Sequence, residues 1–292
     1  HPDDETAKKL EGEGVRGKTE CWYVLFLFFA KIFAQTENSP FKLTPVDGII
    51  LGAGISFTAS AIIAEKTLDF PEYTERSYDL HSVNFVDRKL SQKYNRTLDN
   101  LGTATCAVNL ALPFAVYGAG FFNDVFSAED FLTLTTMYIE AYLFDYGAKN
   151  FLKMGIRRVR PYMYYDGYPT DKLDDYDFEF SSPSGHTTDS FLGAGFLSYT
   201  FCRYFPESKW KIPVVAASYS VAIGTAALRI ASGNHFLTDT IFGAALGTVC
   251  GIGVPLLHEL IASHSEKKET AFKKGSVRFS VTPVSVNWKI AL

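Results

Sequence analysis

The sequence predicts an all-α, multi-pass membrane protein built on a bundle of six core transmembrane helices. The chain has 292 residues, 47% of them hydrophobic, and its charges concentrate in a few polar stretches. Between these stretches lie six apolar segments, each close to the ~17–25 residues that a helix needs to cross the hydrocarbon core. The segments are 48–64, 101–122, 131–152, 187–205, 212–230 and 236–257. One such segment could be a buried helix, but six in one chain indicate a membrane protein.

The two ends of the chain differ from this predicted bundle. The apolar stretch 22–34 follows basic residues, a pattern typical of a signal peptide, although Lys31 within it also allows an uncleaved anchor or interfacial segment. Near the other end, residues 276–290 alternate between apolar and polar, as in a strand. The predicted organisation is therefore an N-terminal tail (1–44), a six-helix domain (45–262) and a C-terminal tail (263–292).

A long polar loop, 65–100, separates the first two apolar segments. Within it, Phe85, Val86 and Leu90 alternate with charged residues that include Asp87 and Lys89. This mixture predicts an amphipathic helix that lies at the membrane interface.

Several residues inside the apolar segments also carry structural information. Asp145 and Lys149 are four positions apart, so they can pair on one face of a helix, and we favour this structural role over direct catalysis. In the sixth segment, Gly243, Gly247 and Gly251 repeat every four residues. That spacing allows a second helix to approach closely, although glycine is also simply tolerated in membrane helices.

Three short motifs at the edges of apolar segments carry the candidate chemistry: KMGIRRVRP at 153–161, SPSGH at 182–186 and RIASGNHFLTD at 229–239. Lys153, Arg160 and Arg229 supply positive charge for the oxygens of a phosphate, which guanidinium groups bind in a bidentate manner. Ser184 and Gly185 are predicted to begin a helix, whose backbone N–H groups form a second anion-binding element.

Two histidines complete the candidate site. His235 and Asp239 are four positions apart, so the carboxylate is predicted to orient the imidazole on a helix and fix its tautomer. An oriented, neutral imidazole is a competent nucleophile, and His186 would then be the general acid. The other histidines, His1, His81, His258 and His264, are predicted to lie outside any such cluster, and no ligand spacing supports a metal site.

With these motifs the chain resembles the type 2 phosphatidic acid phosphatase superfamily, whose signature is KxxxxxxRP, PSGH and SRxxxxxHxxxD. All the charged positions of the signature match, but Leu228 stands where the family has a serine. The resemblance covers roughly residues 45–260. It implies a six-helix bundle with the site at one membrane face, a phosphohistidine on His235 with Asp239 as its partner, and leaving-group protonation by His186. Phosphate would be held by Lys153, Arg160, Ser184, Gly185 and Arg229, with no metal or organic cofactor.

The leading functional hypothesis is an integral-membrane lipid-phosphate phosphatase that acts on a phosphomonoester or pyrophosphate headgroup. The alternative is a phospholipid headgroup or phosphoryl transferase that uses the same site with an alcohol in place of water. The expected partners are the lipid substrate and the bilayer. The net charge of −4 offers no basic surplus for nucleic-acid binding. A vanadate-dependent haloperoxidase is disfavoured by the membrane segments, and an anion channel by the position of the motifs at helix ends.

In the six-helix layout all three motifs fall on one membrane face. The opposite face holds Lys209 and Lys211 together with a lysine-rich tail, so the positive-inside rule places that face in the cytoplasm. The expected location is therefore a bacterial inner membrane, with the site facing the periplasm. A cleaved signal at Ala34 would conflict with this topology, and we favour an uncleaved N-terminal segment.

Overall fold

The structure is a computed structural model that describes residues 39–70, 73, 77–173, 176–274, 278–282 and 285–289, with side chains described as far as residue 264. The predicted signal-like segment 22–34 lies outside the described residues. Seven α-helices make up most of the described chain, which confirms the all-α prediction. They are α1 (Pro45–Thr67), α2 (Phe85–Leu90), α3 (Arg96–Phe122), α4 (Ala128–Ile156), α5 (Gly185–Tyr204), α6 (Lys211–Ala231) and α7 (Leu237–Lys274).

Each of the six predicted apolar segments lies within or largely overlaps one long helix. By length and composition, four of these helices can cross a membrane: α1, α3, α6 and the part of α7 as far as His264. The other two long helices, α4 and α5, are not apolar enough to count as candidate spans, for different reasons. Helix α4 contains Glu140, Asp145 and Lys149 among its apolar residues, and α5 is largely enclosed by the other helices and needs little lipid-facing surface. The full count of six transmembrane helices therefore stays a prediction.

Local signals at the helix starts explain where the bundle begins and turns. Thr44 caps α1 in a capping box with Asp47, and Pro45 occupies the first turn, where its missing N–H costs nothing. Ser127 and Asp130 form a second capping box at the start of α4. Helix α7 continues to Lys274, so the predicted domain end at residue 262 falls inside a continuous helix.

Helices α5 and α7 pack at unusually short range, and the glycine repeat of α7 allows it. A Cβ atom at Gly243 would lie 2.7 Å from the carbonyl oxygen of Ser184. At Gly247 and Gly251 a Cβ would collide with the carbonyl oxygens of Thr188 and Leu192. The close-approach interpretation of the glycine spacing is therefore correct, since three successive turns of α7 lie directly against the backbone of α5.

Two buried polar clusters connect the helices inside the bundle. The first contains the predicted Asp145–Lys149 ion pair, with Nζ and Oδ2 3.5 Å apart, but Lys149 makes a shorter ion pair with Asp189 of α5. In the second, His258 lies between two carboxylates, with Nδ1 2.8 Å from Oδ1 of Asp47 and Nε2 2.7 Å from Oε2 of Glu140. His258 therefore belongs to a buried polar cluster separate from the three motifs, where residues remote in sequence meet as α1, α4 and α7 converge.

The tail beyond the bundle forms a small β-hairpin, as its alternating sequence suggests. Strand β1 (Arg278–Thr282) pairs in antiparallel register with β2 (Ser285–Lys289). The amphipathic helix was predicted within the stretch 81–101. The structure forms only the short α2 there, with Phe85, Val86 and Leu90 exposed, and residues from Arg96 onward belong to α3.

Replacement of Gly247 by leucine tests the α5–α7 contact. The added side chain would meet the α5 backbone, and we expect a loss of about 1–3 kcal/mol in the free energy of unfolding. Gly253→Leu is the matched control, because no atom lies within 4 Å of a Cβ at that position. Thermal unfolding in detergent measures both variants. Equal midpoints would contradict the packing described here.

Candidate active site

The three motifs converge at one end of the bundle, where four long helices end or begin. Lys153 lies in the last turn of α4, and Arg160 precedes a short 3-10 helix, Pro161–Tyr164. Ser184 is the N-cap of α5, and Arg229 lies in the last turn of α6. His235 comes two residues before α7, and Asp239 is in its first turn. The structure thus brings together every residue that the sequence predicts for the site.

His235 is buried, and its hydrogen bonds define its tautomer. Its Nδ1 lies 2.7 Å from the backbone carbonyl oxygen of Ser181. Because a carbonyl oxygen only accepts hydrogen bonds, Nδ1 carries the proton. The neutral ring therefore has its lone pair on Nε2, which lies 3.0 Å from Nη1 of Arg160. The nitrogen available for nucleophilic attack faces a cation of the first motif.

The predicted contact between His235 and Asp239 is replaced by an indirect one. His235 precedes α7, so the four-residue spacing on a helix does not apply to it. The Asp239 carboxylate instead accepts hydrogen bonds from Ser181 Oγ at 2.6 Å and from the Phe236 N–H at 2.9 Å. Ser181 is therefore the link: its hydroxyl binds Asp239, while its carbonyl orients His235.

The two motif arginines are held by carboxylates. Arg160 donates through Nε to the backbone carbonyl of Asp177 and through Nη2 to its side chain. Arg229 pairs with Asp99, which also accepts from Lys172 Nζ at 2.8 Å. Lys153, by contrast, makes no ion pair with any residue in the described ranges. Lys153 is thus the cation best placed to pair with the negative charge of an incoming ligand.

The start of α5 lies where the PSGH motif predicts an anion-binding element. No side chain caps its first N–H groups, because Ser184 Oγ lies 2.9 Å from Thr187 Oγ1 instead. A Cβ at Gly185 would lie 3.3 Å from Lys153 Nζ. Glycine at this position therefore lets the lysine ammonium and the helix N-terminus approach one another, and both favour negative charge.

His186, the predicted general acid, lies in the first turn of α5. Its Nε2 is 3.2 Å from the hydroxyl of Thr103, which also lies 3.1 Å from the backbone carbonyl of Asp99. Helix α3 therefore contributes to the site, because Thr103 contacts His186 and Asp99 holds Arg229. Gly102 between them leaves room for the arginine, since a Cβ there would lie 3.1 Å from Arg229 Cδ.

The electrostatics of the loop residues are dominated by burial and by the converging cations. Burial lowers the pKa of His235 well below its usual 6.5, and the charges of Arg160, Arg229 and Lys153 lower it further. Burial alone would raise the pKa of Asp177, but Arg160 and Lys153 outweigh it and the pKa is lowered. His235 is therefore neutral, and Asp177 ionised, near neutral pH.

Several residues of the site were not predicted from the sequence. Arg158 donates to both Asp239 and Asp87, over 2.6 Å and 2.8 Å. It lies inside the first motif and could have been noticed there. The carboxylates that anchor the arginines come from α3 and from the loop before α5, far from their partners in sequence. Asp99 is the carboxylate from α3 and Asp177 the one from the loop, where Ser181 also lies, and Asp87 of α2 holds Arg158.

Comparison with known proteins finds a family model that matches part of the chain. Residues 134–261, which contain all three motifs, match the model of the PAP2 superfamily. Over this part of the chain, which is less than half of its length, the match confirms the resemblance to the type 2 phosphatidic acid phosphatases.

Among solved structures, the chain is similar to the first transmembrane PAP2-type phosphatidylglycerolphosphate phosphatase from Bacillus subtilis. The two share 23% sequence identity, with a TM-score of 0.45, and the alignment covers 71% of this chain and 96% of that one. A search of curated proteins gave no match.

The lowered pKa of His235 leads to a pH prediction. With His235 as the predicted nucleophile, only its unprotonated form reacts, so activity should persist below pH 6.5 and fall as His235 becomes protonated at lower pH. In Arg160→Gln one neighbouring positive charge is removed, so the pKa of His235 rises and the acid limb of kcat/KM moves to higher pH. Ionisation of the substrate is common to both proteins and cancels in the comparison. An unmoved acid limb would contradict this electrostatic account.

Proposed function

We propose that the chain is a lipid-phosphate phosphatase that hydrolyses a phosphomonoester or pyrophosphate headgroup through a phosphohistidine on His235. One observation carries the proposal. His235 presents an unprotonated Nε2 to Arg160, because Ser181 holds the proton on the opposite nitrogen. A buried imidazole with a fixed tautomer among three cations is suited to attack a phosphorus atom whose oxygens those cations neutralise.

In the first step, the phosphate oxygens take up hydrogen bonds from Lys153, Arg160, Arg229 and the N–H groups at the start of α5. Arg160 Nη1 then turns from His235 to a phosphate oxygen and frees the lone pair of Nε2. Nε2 attacks phosphorus in line as the bond to the leaving alkoxide breaks. His186 gives its proton to that alkoxide, and the negative charge of the bound phosphate favours a protonated His186 beforehand.

In the second step, the neutral His186 accepts a proton from a water molecule. The resulting hydroxide attacks the phosphohistidine, the P–N bond breaks, and inorganic phosphate leaves with Nε2 restored. Asp239 acts in both steps through Ser181, by holding the carbonyl that accepts the Nδ1 proton. No step requires a metal ion, because side-chain cations and helix N–H groups provide the charge stabilisation.

The membrane setting supports a lipid as substrate. The site lies at the end of the bundle where α3 and α7, both candidate spans, begin. A headgroup can therefore reach the cations while its acyl or prenyl chains stay in the bilayer.

The decisive experiment is phosphate release from a panel of lipid phosphates by the full chain in detergent, with chelator present. The panel contains phosphatidic acid, phosphatidylglycerophosphate and a polyprenyl pyrophosphate. We expect chelator-resistant release that His235→Ala abolishes while phosphate binding remains. His264→Ala is the matched control, because His264 is exposed and lies near the far end of α7. Release at the wild-type rate by His235→Ala would exclude this nucleophile, and transfer of phosphate only to an added alcohol would favour a transferase.

We also propose that the site faces the extracytoplasmic side. By the positive-inside rule, the end of the bundle opposite the site, which is followed by the lysine-rich tail, is favoured as the cytoplasmic end. Lys209 and Lys211 mark the opposite end.

Intact spheroplasts test this orientation. They should hydrolyse a membrane-impermeant, water-soluble phosphate ester without permeabilisation if the site faces outward. Hydrolysis that appears only after permeabilisation would place the site in the cytoplasm.

A further inference from the structure

Helix α2 has two sides of different chemistry: an exposed apolar side and a buried side that carries a carboxylate. On one side Phe85, Val86 and Leu90 are 59%, 49% and 43% exposed. Lys89 lies among them, with its ammonium 4.4 Å from the centroid of the Phe85 ring. On the other side Asp87 is completely buried against the bundle. A six-residue helix that exposes its large apolar side chains and buries its carboxylate differs from an ordinary surface helix.

The buried side connects α2 to the catalytic residues. Asp87 accepts hydrogen bonds from the N–H and hydroxyl of Thr238, over 3.0 Å and 2.6 Å, in the first turn of α7. It also accepts from Arg158 Nη2 at 2.8 Å. Arg158 Nη1 in turn lies 2.6 Å from Asp239, and its guanidinium lies over the ring of Phe236.

The connection continues to the nucleophile without a gap. Asp239 accepts from the Ser181 hydroxyl, and the Ser181 carbonyl accepts from Nδ1 of His235. The chain of direct contacts therefore runs from Asp87 through Arg158, Asp239 and Ser181 to His235.

The exposed side lies where the bilayer surface must be. Thr238 is the second residue of α7, which is a candidate span, so α2 lies at the level where that span enters the membrane. Apolar side chains with a lysine among them fit the boundary between acyl chains and anionic headgroups.

We propose that α2 is a membrane-contact helix that couples the bilayer surface to the catalytic histidine. Phe85, Val86 and Leu90 enter the headgroup layer of an anionic phospholipid membrane, and Asp87 is a positioning residue that holds Arg158 and Asp239. The coupling rests on the proposed function, whereas the membrane contact does not.

The contact is tested by Phe85→Trp in the full chain, reconstituted in nanodiscs of phosphatidylcholine and phosphatidylglycerol. Tryptophan fluorescence, corrected for the native tryptophans with the wild-type protein, should be quenched by brominated lipid. Asp166→Trp, at an exposed loop position on the same end of the bundle, should be quenched much less. Equal quenching of the two variants, or a change of oligomeric state in place of quenching, would overturn the contact.

The coupling is tested by Asp87→Asn and Asp87→Glu, with water-soluble dioctanoyl phosphatidic acid as substrate in the same nanodiscs. Asparagine removes the charge that holds Arg158, and we expect kcat to fall about 10-fold with little change in KM. Glutamate restores the charge and should recover much of the loss. Equal losses in both variants, or a matching rise in KM, would reduce Asp87 to a purely structural role and overturn the coupling.

A combined variant completes the experiment. Serine at positions 85, 86 and 90 should lower kcat, and the addition of Asp87→Asn should lower it no further, because both changes act on one chain of contacts. Additive losses would overturn the coupling. Absence of hydrolysis by the wild-type protein would instead refute the proposed function, while the quenching result would still decide the membrane contact.

Discussion

The close packing of α5 against α7 is the constraint on which the site depends. These two helices carry the predicted acid, His186, and the segment that leads from His235 to Asp239. Their backbones can meet only because Gly243, Gly247 and Gly251 have no side chains to separate them. The N–H of Ser184 donates to the carbonyl of Asp239, so the starts of both helices are joined at the site itself. Apolar packing within the bundle thus sets the spacing of the polar groups at its end.

Local sequence was sufficient to predict the helices, the three motifs and their meeting point. Apolar runs of membrane-spanning length determine the helices, and alternating helix directions bring Lys153, His186 and His235 to one end. The glycine repeat also had a local meaning, although sequence alone left it open whether a helix would pack there. The count of six spans was harder to predict. A helix such as α5, which is enclosed by other helices, contacts protein and not lipid, so it can carry more polar residues than a lipid-facing span.

Interactions between residues remote in sequence could not be predicted. The pairing of His235 with Asp239 assumed that both lie on one helix, whereas the turn through Gly233, with a φ of 73°, places the histidine before the helix begins. A backbone carbonyl, that of Ser181, then takes the role expected of the carboxylate. The ion pairs that Asp99 and Asp177 make with the arginines could likewise not be predicted, because the charge of a side chain in a loop or helix does not indicate which arginine it will contact.

The ion pairs of the two motif arginines bear on how the catalytic cycle ends. Asp99 and Asp177 already offset much of the positive charge of Arg229 and Arg160. On the proposed mechanism a phosphate ion would therefore meet a moderately attractive pocket, with Lys153 as the cation that has no ion pair in the described part of the chain. Three unpaired cations would bind inorganic phosphate tightly and retain it after hydrolysis. With the carboxylates in place, the arginines return to existing partners as the product departs. If the chain is the phosphatase proposed above, such a pocket should favour rapid turnover and weak product inhibition over tight anion capture.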